Sequence, residues 1–341
     1  MKFGPVKLTE AAGKVLGHNV AGADGRRVLR KGLMLAEGDI ELLRELGRES
    51  IYVAELELDD VDEDSAAFRI ANSVMGSGLV LAGPTAGRAN LVAEELGLLR
   101  VDVDRVTGIN KCAGITLATM SNNLSVQARK IVATVKVIPF AVAGHVLEKA
   151  EEVSSKDGPI IEMSKIEMRD VALILSGSPE VRDRITRDFE PSIRSRLRAL
   201  NATISSVEYV TLDDYFGEIA LAEKIESCVA GGAHLLILAG ETAIVDRHDI
   251  TPRAIERVGG EVVCYGVPVD PGHLLLLGYV GGTPVLGAPG CTRSQKTNVI
   301  DWVLPRLLAG DRLAAADFVA LGHGGLLEEI LNRPRPRSRL R

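Results

Sequence analysis

The chain has 341 residues, enough for about two domains on the usual scale of one per 100–200 residues. Hydrophobic residues make up 46% and charged residues 25%, which fits a globular chain able to bury a full core. Forty basic residues against 46 acidic ones give a net charge of −6, which argues against a general nucleic-acid binder, and the scarce aromatics (4%) argue against a base-stacking platform. The four cysteines, Cys112, Cys228, Cys264 and Cys291, form no CxxC pair, so neither a zinc signature nor a disulfide framework is expected. The opening Met1-Lys2-Phe3-Gly4-Pro5 carries no signal-peptide pattern. The longest uncharged run, Pro271 to Thr292, is broken by six glycines and three prolines. A cytoplasmic protein with no membrane and no nucleic-acid partner is the expectation.

Helical spacing is predicted over Leu8–Leu16, and a hairpin over Asn19–Leu29 around Gly22-Ala23-Asp24-Gly25. An amphipathic helix follows over Glu37–Leu46, then a short strand, Ile51–Val53. The acidic stretch from Glu55 to Asp64 reads as a solvated linker and helix start, since acids favour first turns. Gly83-Pro84-Thr85-Ala86-Gly87-Arg88 is a glycine-punctuated turn without the Gly-Lys-Ser/Thr of a P-loop. Lys130–Phe140 reads as a strand, and no internal repeat is visible. Residues 1–165 are therefore expected to form a smaller α+β region of one or two subdomains.

From Val171 onward strands and helices alternate. Predicted strands lie at Val171–Ser176, Ser205–Thr211, His234–Ala239 and Glu261–Val267. Predicted helices lie at Glu180–Leu200, Tyr215–Ala230 and Pro252–Val258, the last with Thr251 as N-cap and Pro252 at its first position. The fold class expected for 168–311 is α/β: a parallel or mixed sheet with helices on both faces. Ligands of such sheets sit beyond the carboxyl ends of the strands, which directs attention to Ser176-Gly177 and Gly240-Glu241-Thr242. Residues 312–341 form a tail ending in alternating arginine and proline, read as disordered or as the stub of a linker, with an arm for an anionic partner as the alternative.

Two stretches carry the candidate chemistry. Between Gly240 and Pro252, backbone N–H groups and Arg247 are candidates for a phosphate, and Asp246 and Asp249 for a divalent metal. A solvated loop with Asp249 near a helix start is the structural alternative. Between Pro268 and Ser294, two Pro-Gly turns, Pro271-Gly272 and Pro289-Gly290, frame a two-strand unit. The second feeds a predicted helix, Ser294–Leu308, which places Thr292, Arg293 and Ser294 at its start. No Gly-x-Gly-x-x-Gly and no Gly-x-Ser-x-Gly is present, which disfavours a Rossmann dehydrogenase and a serine hydrolase. Cys291 has no evident partner base.

The segment Asp246-Arg247-His248-Asp249-Ile250-Thr251-Pro252 resembles the Arg-Arg-Asp-Val-Thr-Pro segment of molybdopterin-binding (MoaB/Mog-type) domains. Pro271-Gly272 through Pro284-Val-Leu-Gly287-Ala-Pro289-Gly290 to Ser294 is similar to the corresponding run of molybdopterin molybdenumtransferases (MoeA type). Leu8 to Val20 weakly resembles the opening of those enzymes. The resemblance implies a site for molybdopterin, adenylylated or not, at the carboxyl edge of the sheet. By position it makes Asp249 an acid of metal or adenylyl chemistry, and Asp213 or Asp214 a second acid. Pro289, Gly290 and Ser294 match the phosphate- and pterin-facing loop. Gly177, Gly240, Glu241, Thr242, Arg247, Pro271 and Gly272 complete the implied cofactor contacts. Molybdate insertion aided by Mg2+ is one implied activity. A non-enzymatic carrier serving a nucleotidyltransferase or a molybdoenzyme is another, and a CinA-like nucleotide pyrophosphatase a third. The resemblance also implies a homo-oligomer.

Three departures bear on the site. The family's glycine-rich loop is here Gly240-Glu241-Thr242-Ala243, its Pro-Gly-Lys is Pro271-Gly272-His273, and its Asn-Pro is Cys291-Thr292. Glu241 sets a carboxylate where a phosphate is expected to approach backbone. Unless Glu241 points away or binds a cation, it weakens anion binding.

Overall fold

The computed structural model describes residues 1–212 and 216–327, and the chain forms two compact units, Met1–Ser164 and Lys165 onward. No helix among the described residues is long and apolar enough to cross a membrane.

The first unit holds two cores. Residues 1–55 form a three-stranded antiparallel sheet in the order Lys2–Lys7, Ser50–Glu55, Val15–Leu16, with a helix at Glu37–Glu45. Leu16, Leu35, Ile40, Leu43 and Val53 are buried between sheet and helix. The predicted hairpin forms, pairing Val20–Ala21 with Arg27–Leu29. The helix expected over Leu8–Leu16 does not. Only Leu8–Glu10 makes a 3-10 turn, Gly13 then adopts a left-handed φ of +77°, and Val15–Leu16 enters the sheet. Residues beyond 59 form a four-stranded antiparallel sheet in the order Ile115–Thr119, Ile131–Val137, Arg88–Ala93, Leu79–Thr85. The helix Glu63–Val74 packs on it, and Asp62 caps that helix by accepting the N–H groups of Asp64 and Ser65. The acidic stretch thus ends in a helix start, but Asp60–Asp62 is a short strand paired with Ala141–Ala143 rather than a solvated linker.

The second unit is a mixed α/β sheet. Its elements are β1 (Asp170–Gly177), α1 (Arg182–Ala199), β2 (Thr203–Thr211), α2 (Gly217–Ala230), β3 (Leu235–Gly240), α3 (Ile250–Arg257), β4 (Glu261–Tyr265), β5 (Leu276–Val280), β6 (Thr283–Gly287), α4 (Ile300–Leu308) and α5 (Ala315–Val319). The six strands lie in the order β2-β1-β3-β6-β5-β4. All run parallel except β5, which pairs antiparallel with both neighbours. A short hairpin at Gly281-Gly282 joins β5 to β6, and two strands so closely linked can only be antiparallel.

Helices cover the sheet, so β1 and β3 are apolar runs buried nearly end to end. Ala172, Ile174, Leu236 and Leu238 pack with Leu221 and Ile225 of α2 and Ala254 and Ile255 of α3. Alternate residues point to the opposite face. There α1 packs on β1 and β2 through a stripe holding Ile185, Phe189, Ile193 and Leu197. Two predicted boundaries move. Asp249 rather than Thr251 caps α3, and Pro252 stands at the third helical position, where a missing N–H costs nothing. The helix expected over Ser294–Leu308 begins only at Ile300, preceded by a 3-10 turn at Gly290–Arg293.

Candidate functional site at the carboxyl edge

The sheet order places a topological switch between β1 and β3. The chain leaves β1 toward β2 on one side and leaves β3 toward β4 on the other, so the loops diverge and open a crevice. Ser176 and Gly240 stand side by side there, in register. The register Tyr265, Leu276, Gly287, Leu238 carries the same edge across the sheet. Five connections therefore meet at one edge: those after Gly177, after Thr211, after Gly240, between Tyr265 and Leu276, and after Gly287. Gly177 and Gly240 end the strands that feed them, and Glu241, Thr242, Pro271, Gly272, Pro289, Gly290 and Ser294 lie in them.

A cavity of about 30 Å³, room for a water molecule or two, sits under the crevice. It is lined by Ser176, Gly240, Thr242, Asp249, Thr251 and Ala288, among others. Close packing explains Gly240: a Cβ there would stand 2.6 Å from Ser176 Oγ.

The loop after β3 is held by its own side chains. Asp249 Oδ1 accepts the Ile250 N–H at 2.8 Å, and Oδ2 accepts the Val245 N–H at 3.2 Å. Asp246 Oδ1 accepts the His248 backbone N–H at 2.8 Å and faces the His248 ring at 3.1 Å. The backbone bond first, and then the ring, hold the exposed Asp246 carboxyl below its usual range. Among the described residues no group of three His, Cys, Asp or Glu side chains converges as a metal site. Arg247 turns aside, pairing with Glu256 at 2.6 Å and donating to the Val262 carbonyl at 3.3 Å. Asp213 and Asp214 lie outside the described residues.

Glu241 is the residue on which the sequence left a question. It neither points away nor lies free. Its Oε2 accepts the Ser178 N–H at 3.0 Å, and Arg184 of α1 stands 3.6 Å from Oε1. Gly177 makes room for it, because a Cβ at Gly177 would lie 2.9 Å from Glu241 Cβ. Tyr209 of β2 donates to the Ser178 carbonyl at 2.7 Å. Burial, and then the Glu241 charge, raise the Tyr209 hydroxyl above the ordinary tyrosine range.

The far wall is the loop after β6. Arg293 lies over the Phe189 ring at 4.7 Å and donates to the Gly240 carbonyl at 3.4 Å, joining the two stretches picked out by sequence. Gly290 faces open space. Ser294 is exposed, and its hydroxyl accepts the Lys296 N–H at 3.1 Å. Thr292, expected to face a ligand, is fully buried, and burial raises the Cys291 thiol above its ordinary range. Pro271 and Gly272 pack on the entry to α4, where the Pro271 carbonyl accepts the Val299 N–H at 3.1 Å. His273 is exposed, 3.9 Å from Asp270.

Arg196 holds this wall in place and was not picked out from sequence. Its side chain is 8% exposed. It donates to the carbonyls of Ser294 (3.0 Å) and Lys296 (2.9 Å), to Asp301 Oδ1 (2.9 Å) and to Ser192 Oγ. Ser192 Oγ in turn donates to the Thr292 carbonyl at 2.7 Å. The signal was present: Arg196 falls on the apolar stripe Ile185, Phe189, Ile193 of an otherwise charged helix. Ser178, Arg184 and Tyr209 were also missed, since only the sheet topology brings them to Glu241.

Comparisons with known proteins give distant matches. Residues 5–55 match a family described as a domain of unknown function (DUF8806). No curated protein sequence matches the chain. Among solved structures, molybdenum cofactor biosynthesis protein B is similar at 14% identity over 41% of this chain and 94% of its own, with a TM-score of 0.30. The molybdopterin biosynthesis MoeA protein from Pyrococcus horikosii is similar at 12% identity over 90% of this chain and 75% of its own, with a TM-score of 0.30. A molybdopterin biosynthesis protein from Mycobacterium abscessus is similar at 14% identity over 40% of this chain and 89% of its own, with a TM-score of 0.28.

Proposed function

We propose that this protein binds molybdopterin at the carboxyl edge of its second unit and serves molybdenum cofactor biosynthesis. One observation carries the reading. The two candidate stretches, 240–252 and 268–294, are joined at the topological switch, where Arg293 reaches the carbonyl of Gly240, 53 residues earlier in the chain. The proposed pterin ring lies over the cavity between Thr242 and Ala288, against the open side of Gly290. Arg184 and Arg293 are the cations at hand for its phosphate, one on each side of the crevice.

Binding without molybdate insertion is the form of the reading we favour. Both Asp249 oxygens already accept backbone N–H groups, and Asp246 is committed to His248. A Mg2+ ion on these two carboxylates has to compete with those bonds. In this proposal Asp249 shapes the loop as a helix cap, and the ligand passes on to a nucleotidyltransferase or molybdoenzyme partner. Hydrogen–deuterium exchange with added molybdopterin tests the location. Protection of amides in 240–249 and 288–294 is expected; protection confined to other segments contradicts it.

A further inference from the structure

Glu241 reaches back over Gly177 and takes two groups that suit an anion: the Ser178 N–H at 3.0 Å and the Arg184 guanidinium at 3.6 Å. The local sequence is fitted to this posture. Gly177 supplies the space, since a Cβ would meet Glu241 Cβ at 2.9 Å and Oε2 at 3.1 Å. The Tyr209 hydroxyl fixes the same peptide from its other side by donating to the Ser178 carbonyl at 2.7 Å. The carboxylate is only about two-thirds covered and its cation is more than half exposed, at 31% and 56% of their free areas. A partly solvated pair of this kind is weak, so the side chain can leave for water at small cost.

We propose that Glu241 is an internal stand-in for the ligand's phosphate. It closes the Ser178–Arg184 seat in the free protein, and a phosphate ester binds there by displacing it. A phosphate monoester brings more charge and more acceptor oxygens than a carboxylate, so it makes the stronger pair with the same donors. The displaced carboxylate adds a competition that lowers apparent affinity by the fraction of time the seat is open. Glu241 thereby selects for ligands that have other contacts along the edge, and against free phosphate. That a phosphate ester comes to this edge rests on the molybdopterin reading; the occupied seat does not.

The test uses the full chain and inorganic phosphate as probe, with the Ser178 amide resonance as reporter. Glu241→Ala removes the occupant, and Glu241→Gln keeps an oxygen for the Ser178 N–H while removing the charge. Phosphate affinity is expected to rise about tenfold in E241A and by less in E241Q, with the Ser178 resonance shifting on titration. The gain is expected to vanish in an E241A/R184A double variant. Equal affinity in wild type, E241A and E241Q overturns the proposal, as does a gain that survives loss of Arg184. Trp302 fluorescence melts confirm that each variant is folded. The two readings fail separately. A gain in phosphate affinity with no molybdopterin uptake leaves the stand-in and removes the pterin. Molybdopterin uptake with unchanged phosphate affinity does the reverse.

Discussion

Replacing Arg196 by Ala removes the clamp behind the candidate site. Three well-formed bonds go with it, to the Ser294 and Lys296 carbonyls and to Asp301, at 3.0, 2.9 and 2.9 Å. Each hydrogen bond to a charged group contributes about 1.5–3 kcal/mol. The sum overshoots, because Ser294 and Lys296 are exposed and their carbonyls regain water. Asp301 is 30% exposed and is likewise partly rehydrated. Breaking a buried ion pair by removing one partner costs about 3–5 kcal/mol, and the partial exposure of the acceptors places the loss near 3 kcal/mol. For a unit of this size that lowers the midpoint of thermal unfolding by roughly 6–12 °C. The single tryptophan, Trp302, sits beside Asp301 on α4, so its fluorescence reports this unit alone during a urea or thermal melt. R196K keeps the charge but loses the fork, and is expected to recover part of the loss. A loss below about 1 kcal/mol in R196A, or equal melts for R196A and R196K, refutes the clamp.

Three further outcomes follow from particular contacts. Gly272→Ala is expected to destabilise the second unit by about 2 kcal/mol, because φ is +140° there and a methyl overlaps the Val299 side chain; an unchanged Trp302 melt contradicts this. Asp249→Ala is expected to cost about 1 kcal/mol as a lost helix cap, while Asp249→Asn costs a few tenths and keeps ligand binding. If Asn abolishes binding with the fold intact, Asp249 is more than a cap. Burial pushes the Cys264 thiol up to about 11, from the ordinary 9.0. Its folded-state pKa lies above the unfolded one, so this contribution to stability is complete below pH 9 and lost as pH rises toward 11. Cys264 in the native protein is expected to resist iodoacetamide at pH 8 and to react after unfolding.

Much of the second unit was legible because its central strands, β1 and β3, are buried on both faces. Val171–Ser176 and His234–Ala239 are uninterrupted apolar runs, and such runs between amphipathic helices imply a parallel core with its site at the carboxyl edge. The hairpin at Gly281-Gly282 made the sheet mixed. The start of α4 was not legible. Local spacing favours helix from Ser294, but Arg196 holds the carbonyls of Ser294 and Lys296, which a helix would have claimed. The helix begins only where Asn298 Oδ1 accepts the Ile300 N–H. Leu8–Leu16 failed for a related reason: its apolar spacing suits a helix, yet Val15 and Leu16 pair with Ala54 and Val53 and the segment enters a sheet. Glu241 shows the limit most clearly. Its presence was a sequence observation, but its partners Ser178 and Arg184 lie about sixty residues earlier in the chain.

The central claim, a molybdopterin site at the carboxyl edge, is tested most directly by pterin content. The protein is purified from a host that makes molybdopterin, denatured in acidic iodide, and assayed for the fluorescent pterin derivative beside Gly290→Trp. Gly290 faces open space, so an indole there adds bulk to the loop after β6 without disturbing packing. The account predicts near-stoichiometric pterin in the wild type and loss of it in a folded G290W. No pterin in either, with added molybdopterin failing to bind, contradicts it.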